Sequence, residues 1–286
     1  MLPAIGILGL GYLGSELVNR YQWPEDSWGS HPQPHVPESS VRSKLRLIHF
    51  DWNIKETWDN IPAIDANIVL TIPPPTQDLE KEIQWLIVWG GWMNRERSKL
   101  RNLVYISTTG VYPNQARNWH EGQSLTPDTD KGKLRAESEK VLRHFFDLRV
   151  VRSGAIYGPG RHIGKRIMNR KPIPRGGQPI HRIHVRDLAQ IIKLALTQKD
   201  FPQVVNAVDE EAAPTEEVVN WLIRQPFFPH KKSDKIRFQE EYCTRKNLPE
   251  CSARKISNRC LKSISEFQYH YPTYREGIKQ SVEANQ

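Results

Sequence analysis

Cysteine is scarce in this chain: Cys243, Cys251 and Cys260 are the only three among 286 residues. Their odd number argues against a disulfide framework, and the lack of any C-x-x-C spacing argues against a zinc site, so no metal is expected. That usage fits a reducing compartment, the cytoplasm. Long apolar runs are missing too. The longest, around Trp85 to Met93, is interrupted by glycines and is far shorter than the ~20 residues a membrane helix needs. No basic-then-apolar leader is visible, because the first apolar residues run directly into a glycine turn, and no membrane partner is expected.

Acidic residues are outnumbered, 32 against 41 Lys and Arg, for a net charge of +9. Such an excess raises nucleic acid as a partner, bound through the basic C-terminal region. The basic residues are nevertheless spread along the chain and no aromatic-interleaved RNA signature accompanies them. A general positive field equally attracts a small phosphorylated or carboxylated substrate, which is the preferred partner.

What is present begins at the N-terminus. Gly9-x-Gly11-x-x-Gly14 follows the apolar stretch Ile5 to Leu8 and precedes Leu13, Leu17, Val18 and Tyr21 at helical spacing. Strand, glycine turn and helix in that order are the dinucleotide fingerprint. Gly9 permits the tight turn, Gly11 the approach of a pyrophosphate, and Gly14 close helix-to-strand packing. The backbone of Tyr12 and Leu13 would then offer amides to the phosphates.

Strand-like segments recur at Leu45 to Phe50, Ala66 to Ile72, Leu103 to Ser107, Leu148 to Arg152 and Val204 to Val208, with helical patterns between them. Continuous apolar runs alternating with helices predict an α/β fold, a Rossmann-type doubly wound parallel sheet. The second strand is expected over Asp26 to Ser30, before a loop carrying Pro32, Pro34 and Pro37. Residues 1–157, with 183–210 returning to them, make the dinucleotide domain. Residues 158–182 and 211–286, rich in prolines and basic residues, make a smaller interleaved substrate domain. Trp85, Trp89 and Trp92 fall at i, i+4 and i+7 of one helix, either as core or as a face for a second copy of the chain.

An acid about 20 residues after the glycines would bind the ribose 2′-hydroxyl of NAD. Ser30-His31-Pro32 stands there without one, and Ser30 and His31 are possible donors to a 2′-phosphate, so NADP is expected in preference to NAD. Asp51 could accept from the adenine amino group or cap its own loop. Thr71, Ile72 and Pro73 end the fourth strand, beside the expected cofactor crevice.

Four further segments occur in order: Ser107 to Tyr112, Lys133-Leu134-Arg135-Ala136-Glu137, Ile156-Tyr157-Gly158-Pro159-Gly160, and Arg182-Ile183-His184-Val185-Arg186-Asp187-Leu188-Ala189. Together they resemble the extended short-chain dehydrogenases/reductases. The closest likeness is to their atypical branch of NAD(P)-dependent epimerase/dehydratase-like oxidoreductases. Trp119-His120-Glu121, Ser257-Asn258-Arg259 and Pro272 to Gly277 extend it over nearly the whole chain.

The resemblance implies that Thr108 is the catalytic Ser/Thr. It also implies that Lys133 matches the lysine of Tyr-x-x-x-Lys, which contacts the nicotinamide ribose and lowers the tyrosine pKa. The tyrosine position is Thr129. An aliphatic hydroxyl cannot be ionised at useful pH, so another group must supply a proton if turnover survives. Tyr157 is the preferred substitute, ahead of Tyr112, His184 and His120.

Arg161, His162, Lys165, Arg166, Arg170, Lys171 and Arg175, then His181 and Arg182, fall in the substrate-facing region of the resemblance. Thr109, Arg161, His181 and Arg182 are therefore expected to hold a small anionic substrate, a carbonyl compound or a nucleotide sugar. The expected activity is that of an NAD(P)-dependent oxidoreductase or epimerase/dehydratase-type enzyme. The alternative is an NADP(H)-binding sensor that has lost turnover with its tyrosine.

Overall fold

The computed structural model describes residues 2–33, 45–73, 78–100, 102–174, 178–229, 236, 238–239 and 254–284. Pro34, Pro37, Arg175, Cys243 and Cys251 lie outside the described residues. Seven parallel strands form the central sheet: β1 (Ile5–Leu8), β2 (Trp28–His31), β3 (Arg46–His49), β4 (Asn67–Leu70), β5 (Asn102–Thr108), β7 (Asp147–Ser153) and β11 (Val204–Ala207). Their spatial order is β11-β7-β5-β4-β1-β2-β3, so the direction of winding reverses between β1 and β4. Three short parallel pairs lie outside the sheet: β6 (Asn118–Trp119) with β13 (Lys255–Ile256), β8 (Ala155–Tyr157) with β10 (Arg182–His184), and β9 (Ile173–Pro174) with β12 (Phe238–Gln239).

The doubly wound arrangement follows from strands that are apolar on both faces. One face buries Ile5, Ile7, Val69, Val104 and Val151 under α1 (Tyr12–Arg20) and α5 (Val185–Thr197). The other buries Leu8, Ile68, Leu70 and Tyr105 under α2 (Leu79–Glu96) and α3 (Asp130–Phe145). Helix α2 starts where the Asp78 side chain accepts from the amides of Glu80 and Lys81. Its tryptophan stripe is core: Trp89 and Trp92 are buried, and Trp85 stacks edge-on against Trp58, with ring centroids 5.5 Å apart. Trp89 and Trp92 thus serve as core.

The remaining helices are α4 (Ile163–Met168), α6 (Thr215–Leu222), α7 (Arg259–Lys262) and α8 (Tyr274–Glu283). Helices α4, α6 and α8 gather around a separate small core of Tyr157, Val218, Leu222, Phe228, Tyr274 and Ile278. Helix α8 opens with a capping box, Thr273 with Glu276. Asp187, fully buried at the start of α5, accepts from the amides of His270 and Tyr271 and so ties the C-terminal segment to the main sheet.

The second strand starts two residues later than the sequence suggests and reaches His31. The shift has a packing reason: the Trp28 indole fills the space over Gly6, where an added Cβ would lie 2.1 Å from it. A tryptophan that must face a glycine sets the register. Among the described residues, no helix is long and apolar enough to cross a membrane, and no cluster of side chains could hold a metal ion.

Asp209, just beyond β11, is 2% exposed, and burial pushes its carboxyl up to about 8 against the opposing pull of Arg182. Between about 4 and about 8 the native chain keeps this proton while the unfolded chain has lost it, so stability falls as pH rises through that window. Replacing Asp209 by Asn is expected to flatten this fall. In urea titrations the variant should gain on the wild type between pH 5 and pH 8. A wild-type decline left unaltered would disprove the assignment.

Candidate active site

The glycine turn is pinned from both neighbouring strands. Gly9 has φ +108°, and a Cβ there would stand 2.5 Å from Thr71 Oγ1. Its amide donates to Ser30 Oγ at 3.0 Å, and its carbonyl accepts from the Thr71 hydroxyl at 2.7 Å. Gly14 sits so close beneath that an added Cβ would lie 2.4 Å from Gly9 O. Gly11 differs: nothing stands within 4 Å of where its Cβ would be, and no side chain caps α1, which starts there. The turn thus exposes backbone amides and a helix N-terminus at the winding reversal, where a phosphate can be received.

This corrects two expectations. Ser30 is 1% exposed and its hydroxyl is committed to Gly9, so it builds the turn and does not reach toward a 2′-phosphate. Thr71 likewise clamps Gly9. Ile72 packs beside it, its Cγ1 2.9 Å from the position of a Gly9 Cβ, and Pro73 follows. Leu13 is a core side chain, so only its backbone can face a ligand.

His31 ends β2 opposite His49 of β3. Its Nδ1 accepts from the Gln33 amide at 3.1 Å, which places the proton on Nε2. His49 Nε2 donates to Pro32 O. Two imidazoles thus stand at the end of the β2–β3 pair, and Asp51 follows two residues beyond β3. Asp51 closes an Asx turn, its Oδ1 accepting from Asn53 N at 2.8 Å.

Tyr12 links the turn to the small lobe. Its hydroxyl donates to Pro159 O at 3.1 Å, and the Arg161 guanidinium lies 5.4 Å from its ring centroid. Burial, with Glu16 adding, pushes the phenol up to about 12. Beyond Arg161 opens a cavity of about 500 Å³ whose lining includes Gly160, Arg161, Lys165, Arg166 and Lys171. No carboxylate is among the described residues that line it.

At the end of β5, Thr108 Oγ1 accepts from Gly110 N at 3.1 Å, which leaves its own proton to donate. Thr109, expected to touch substrate, is buried at 6% exposure. Helix α3 meets this turn closely: a Cβ on Gly132 would be 2.3 Å from Gly110 O. Thr129 is the N-cap of α3, its hydroxyl accepting from Gly132 N at 3.1 Å. Lys133 points to solvent, with Nζ 3.3 Å from Asp130 Oδ1 and half its side chain exposed.

Sequence reasoning missed the buried network beneath Thr108. Ser107 Oγ donates to Glu139 Oε1 at 2.5 Å, Arg152 Nη2 meets Glu139 Oε2 at 2.7 Å, and Arg152 Nη1 donates to Tyr112 Oη at 2.8 Å. Tyr112 Oη in turn donates to Asn206 Oδ1 at 2.9 Å. Burial raises the Tyr112 pKa while Arg152 opposes it. The available signal was a charge at an inward position on each of two adjacent elements.

Tyr157 is also corrected as a proton donor. It is 6% exposed, donates to Thr273 O at 3.3 Å, and presses on Gly277, where a Cβ would be 2.1 Å from its oxygen. Burial, with Asp209 and Asp187 adding, raises its pKa far above the ordinary phenol value. His181 and Arg182, expected on substrate, are structural as well. His181 Nε2 accepts from Ile256 N at 3.0 Å and burial lowers its pKa to about 4. Arg182 donates to Ile180 O and Ala213 O at 2.9 and 2.8 Å. His184 is fully buried, its Nδ1 accepting from Arg186 N, and burial lowers its pKa to about 3.

A second cavity, of about 450 Å³, lies at the amino ends of β4, β5 and β7, away from the glycine turn. Its Arg149 is spent on the backbone carbonyls of Ala195 and Lys199.

No protein-family model and no curated protein matches the sequence. Solved structures do match. A functionally unknown conserved protein from Silicibacter pomeroyi DSS is 22% identical, with 99% of each chain covered and a TM-score of 0.76. UDP-N-acetylglucosamine 4-epimerase from Bacillus cereus is 13% identical, with 99% of this chain and 96% of that chain covered and a TM-score of 0.74. UDP-glucuronic acid 4-epimerase from Bacillus cereus, solved in complex with NAD, is 17% identical, with 98% and 97% covered and a TM-score of 0.72. The chain shares its doubly wound fold with these proteins over nearly its whole length.

Proposed function

We propose that this chain binds an NAD(P) dinucleotide, NADP in preference to NAD, and uses it as an oxidoreductase or epimerase/dehydratase-type enzyme on a small anionic substrate. The observation that carries the reading is the glycine turn held by Ser30 and Thr71. It is open at Gly11 and joined through Tyr12 and Arg161 to a cavity lined by cations. The likeness in fold to epimerases of nucleotide sugars supports it. His31 and His49 at the end of the β2–β3 pair, with no acid among the described residues that end β2, support NADP.

The bound nicotinamide would supply hydride transfer. The chain's own part is recognition and orientation. Arg161, Lys165, Arg166 and Lys171 hold the anionic group, and Thr108 donates its hydroxyl proton to a substrate oxygen at the end of β5. A screen of carbonyl compounds and nucleotide sugars with NADPH and NADH tests this, and turnover that fails in Thr108→Ala is the expected result.

One observation favours the sensor reading. The hydroxyls of Tyr112 and Tyr157 both donate within the structure itself, and Thr129 is an aliphatic helix cap. Dinucleotide binding without turnover on any substrate, together with reductase activity gained in Thr129→Tyr, would decide for it.

A further inference from the structure

One side chain reaches both halves of the candidate site. Tyr12 opens α1, so its amide is one of those the glycine turn offers to a phosphate, while its ring extends to the small lobe. There its hydroxyl donates to Pro159 O at 3.1 Å, and the Arg161 guanidinium carbon lies 5.4 Å from its ring centroid. Gly158 makes room for the phenol: a Cβ there would stand 2.5 Å from Tyr12 Oη.

The segment it grips is a tight turn. The Gly158 amide donates to Arg161 O at 3.1 Å, and the Arg161 amide returns the bond to Gly158 O at 3.0 Å. Arg161 therefore has its backbone fixed by Gly158 and its guanidinium resting on a ring that belongs to α1. The same Arg161 lines the cavity of about 500 Å³. A single phenol thus joins the backbone that receives a pyrophosphate to a cation that receives the second anion.

We propose that Tyr12 is a positioning residue that couples the two sites: a dinucleotide on the glycine turn and an oxyanion in the cavity each tighten the binding of the other. The inference rests on the dinucleotide reading above. Pyrophosphate held by the backbone of Tyr12 and Leu13 fixes the start of α1 and with it the Tyr12 ring. An anion paired with Arg161 fixes the turn from Gly158 to Arg161 against that ring. Whichever ligand arrives first orders the shared contact, so the second has less to order, and linkage makes the effect equal in both directions.

The test titrates the full chain with NADPH in the absence and in the presence of inorganic phosphate, the probe for the cavity. Phosphate also competes at the glycine turn, so the reference is Lys165→Ala/Lys171→Ala, which lacks two cations of the cavity and keeps the turn. Relative to its effect in that reference, phosphate should make NADPH binding to the wild type about fivefold tighter or more. Tyr12→Leu, which loses both contacts, should bring the effect to within about twofold of the reference. Tyr12→Phe keeps the ring under Arg161 and loses only the bond to Pro159, so it should fall between the two. Circular dichroism establishes that each variant is folded, and Tyr12→Phe covers an unfolded Tyr12→Leu. A wild-type effect equal to the reference, or one that persists in full in a folded Tyr12 variant, would overturn the proposal. A wild type that binds no NADPH would instead sink the dinucleotide reading on which it rests.

Discussion

Glu139→Ala is expected to destabilise the chain by about 3–5 kcal/mol, because it leaves the Arg152 guanidinium charged and unpaired inside the protein. The two side chains are 4% and 5% exposed. Glu139 takes bonds from Arg152 Nε and Nη2 and from Ser107, and Arg152 also holds Tyr112. A domain stable by roughly 5–15 kcal/mol would lose a large share of its stability. Replacing both residues by apolar ones of similar size should cost far less, since the pair's desolvation is removed along with its attraction. Urea unfolding of the two single variants and the double variant measures this, and a single-variant loss under about 1 kcal/mol would refute the buried-charge account.

Gly11→Ala should do the opposite: leave the fold intact and weaken dinucleotide binding. Nothing lies within 4 Å of the added methyl, and the backbone there has φ −83°, ordinary for alanine. The methyl would project into the space in which a pyrophosphate must approach the amides of α1. Dinucleotide affinity is expected to fall by about tenfold or more, roughly 1.4 kcal/mol, with the unfolding midpoint unchanged. Gly14→Ala makes the contrast, because its methyl would meet the Gly9 carbonyl 2.4 Å away and must disturb the turn. Unaltered affinity in Gly11→Ala would mean that the turn is steric only.

The parts of this molecule that depend on local pattern were legible in the sequence. The strand, glycine turn and helix around Gly9, Gly11 and Gly14 form as read, and so do the apolar strands that order the sheet. What pattern could not supply was the partner of each polar group. Ser30 and Thr71 looked like ligand contacts because they end strands beside the turn, yet each hydroxyl is taken by Gly9. Tyr157 sits in a segment that resembles one beside a nicotinamide, but the packing of α8 at Gly277 encloses it. For Ser30, Thr71 and Tyr157 alike, a tertiary contact from a distant part of the chain decided the role.

The cation-lined cavity was foreshadowed by the basic run from Arg161 to Lys171, while His181 and Arg182 turned out to hold backbone. Their segments pair β8 with β10 and fasten the C-terminal strand, so burial claimed them. The anion site proposed above accordingly uses residues after Gly160 that line the open cavity.

Calorimetric titration of the full chain with NADPH and with NADH tests the central claim most directly. The glycine turn and the acid-free end of β2 predict saturable binding of one dinucleotide per chain, tighter for NADPH than for NADH. Tighter binding of NADH would contradict the choice of cofactor, and binding of neither would contradict the site itself.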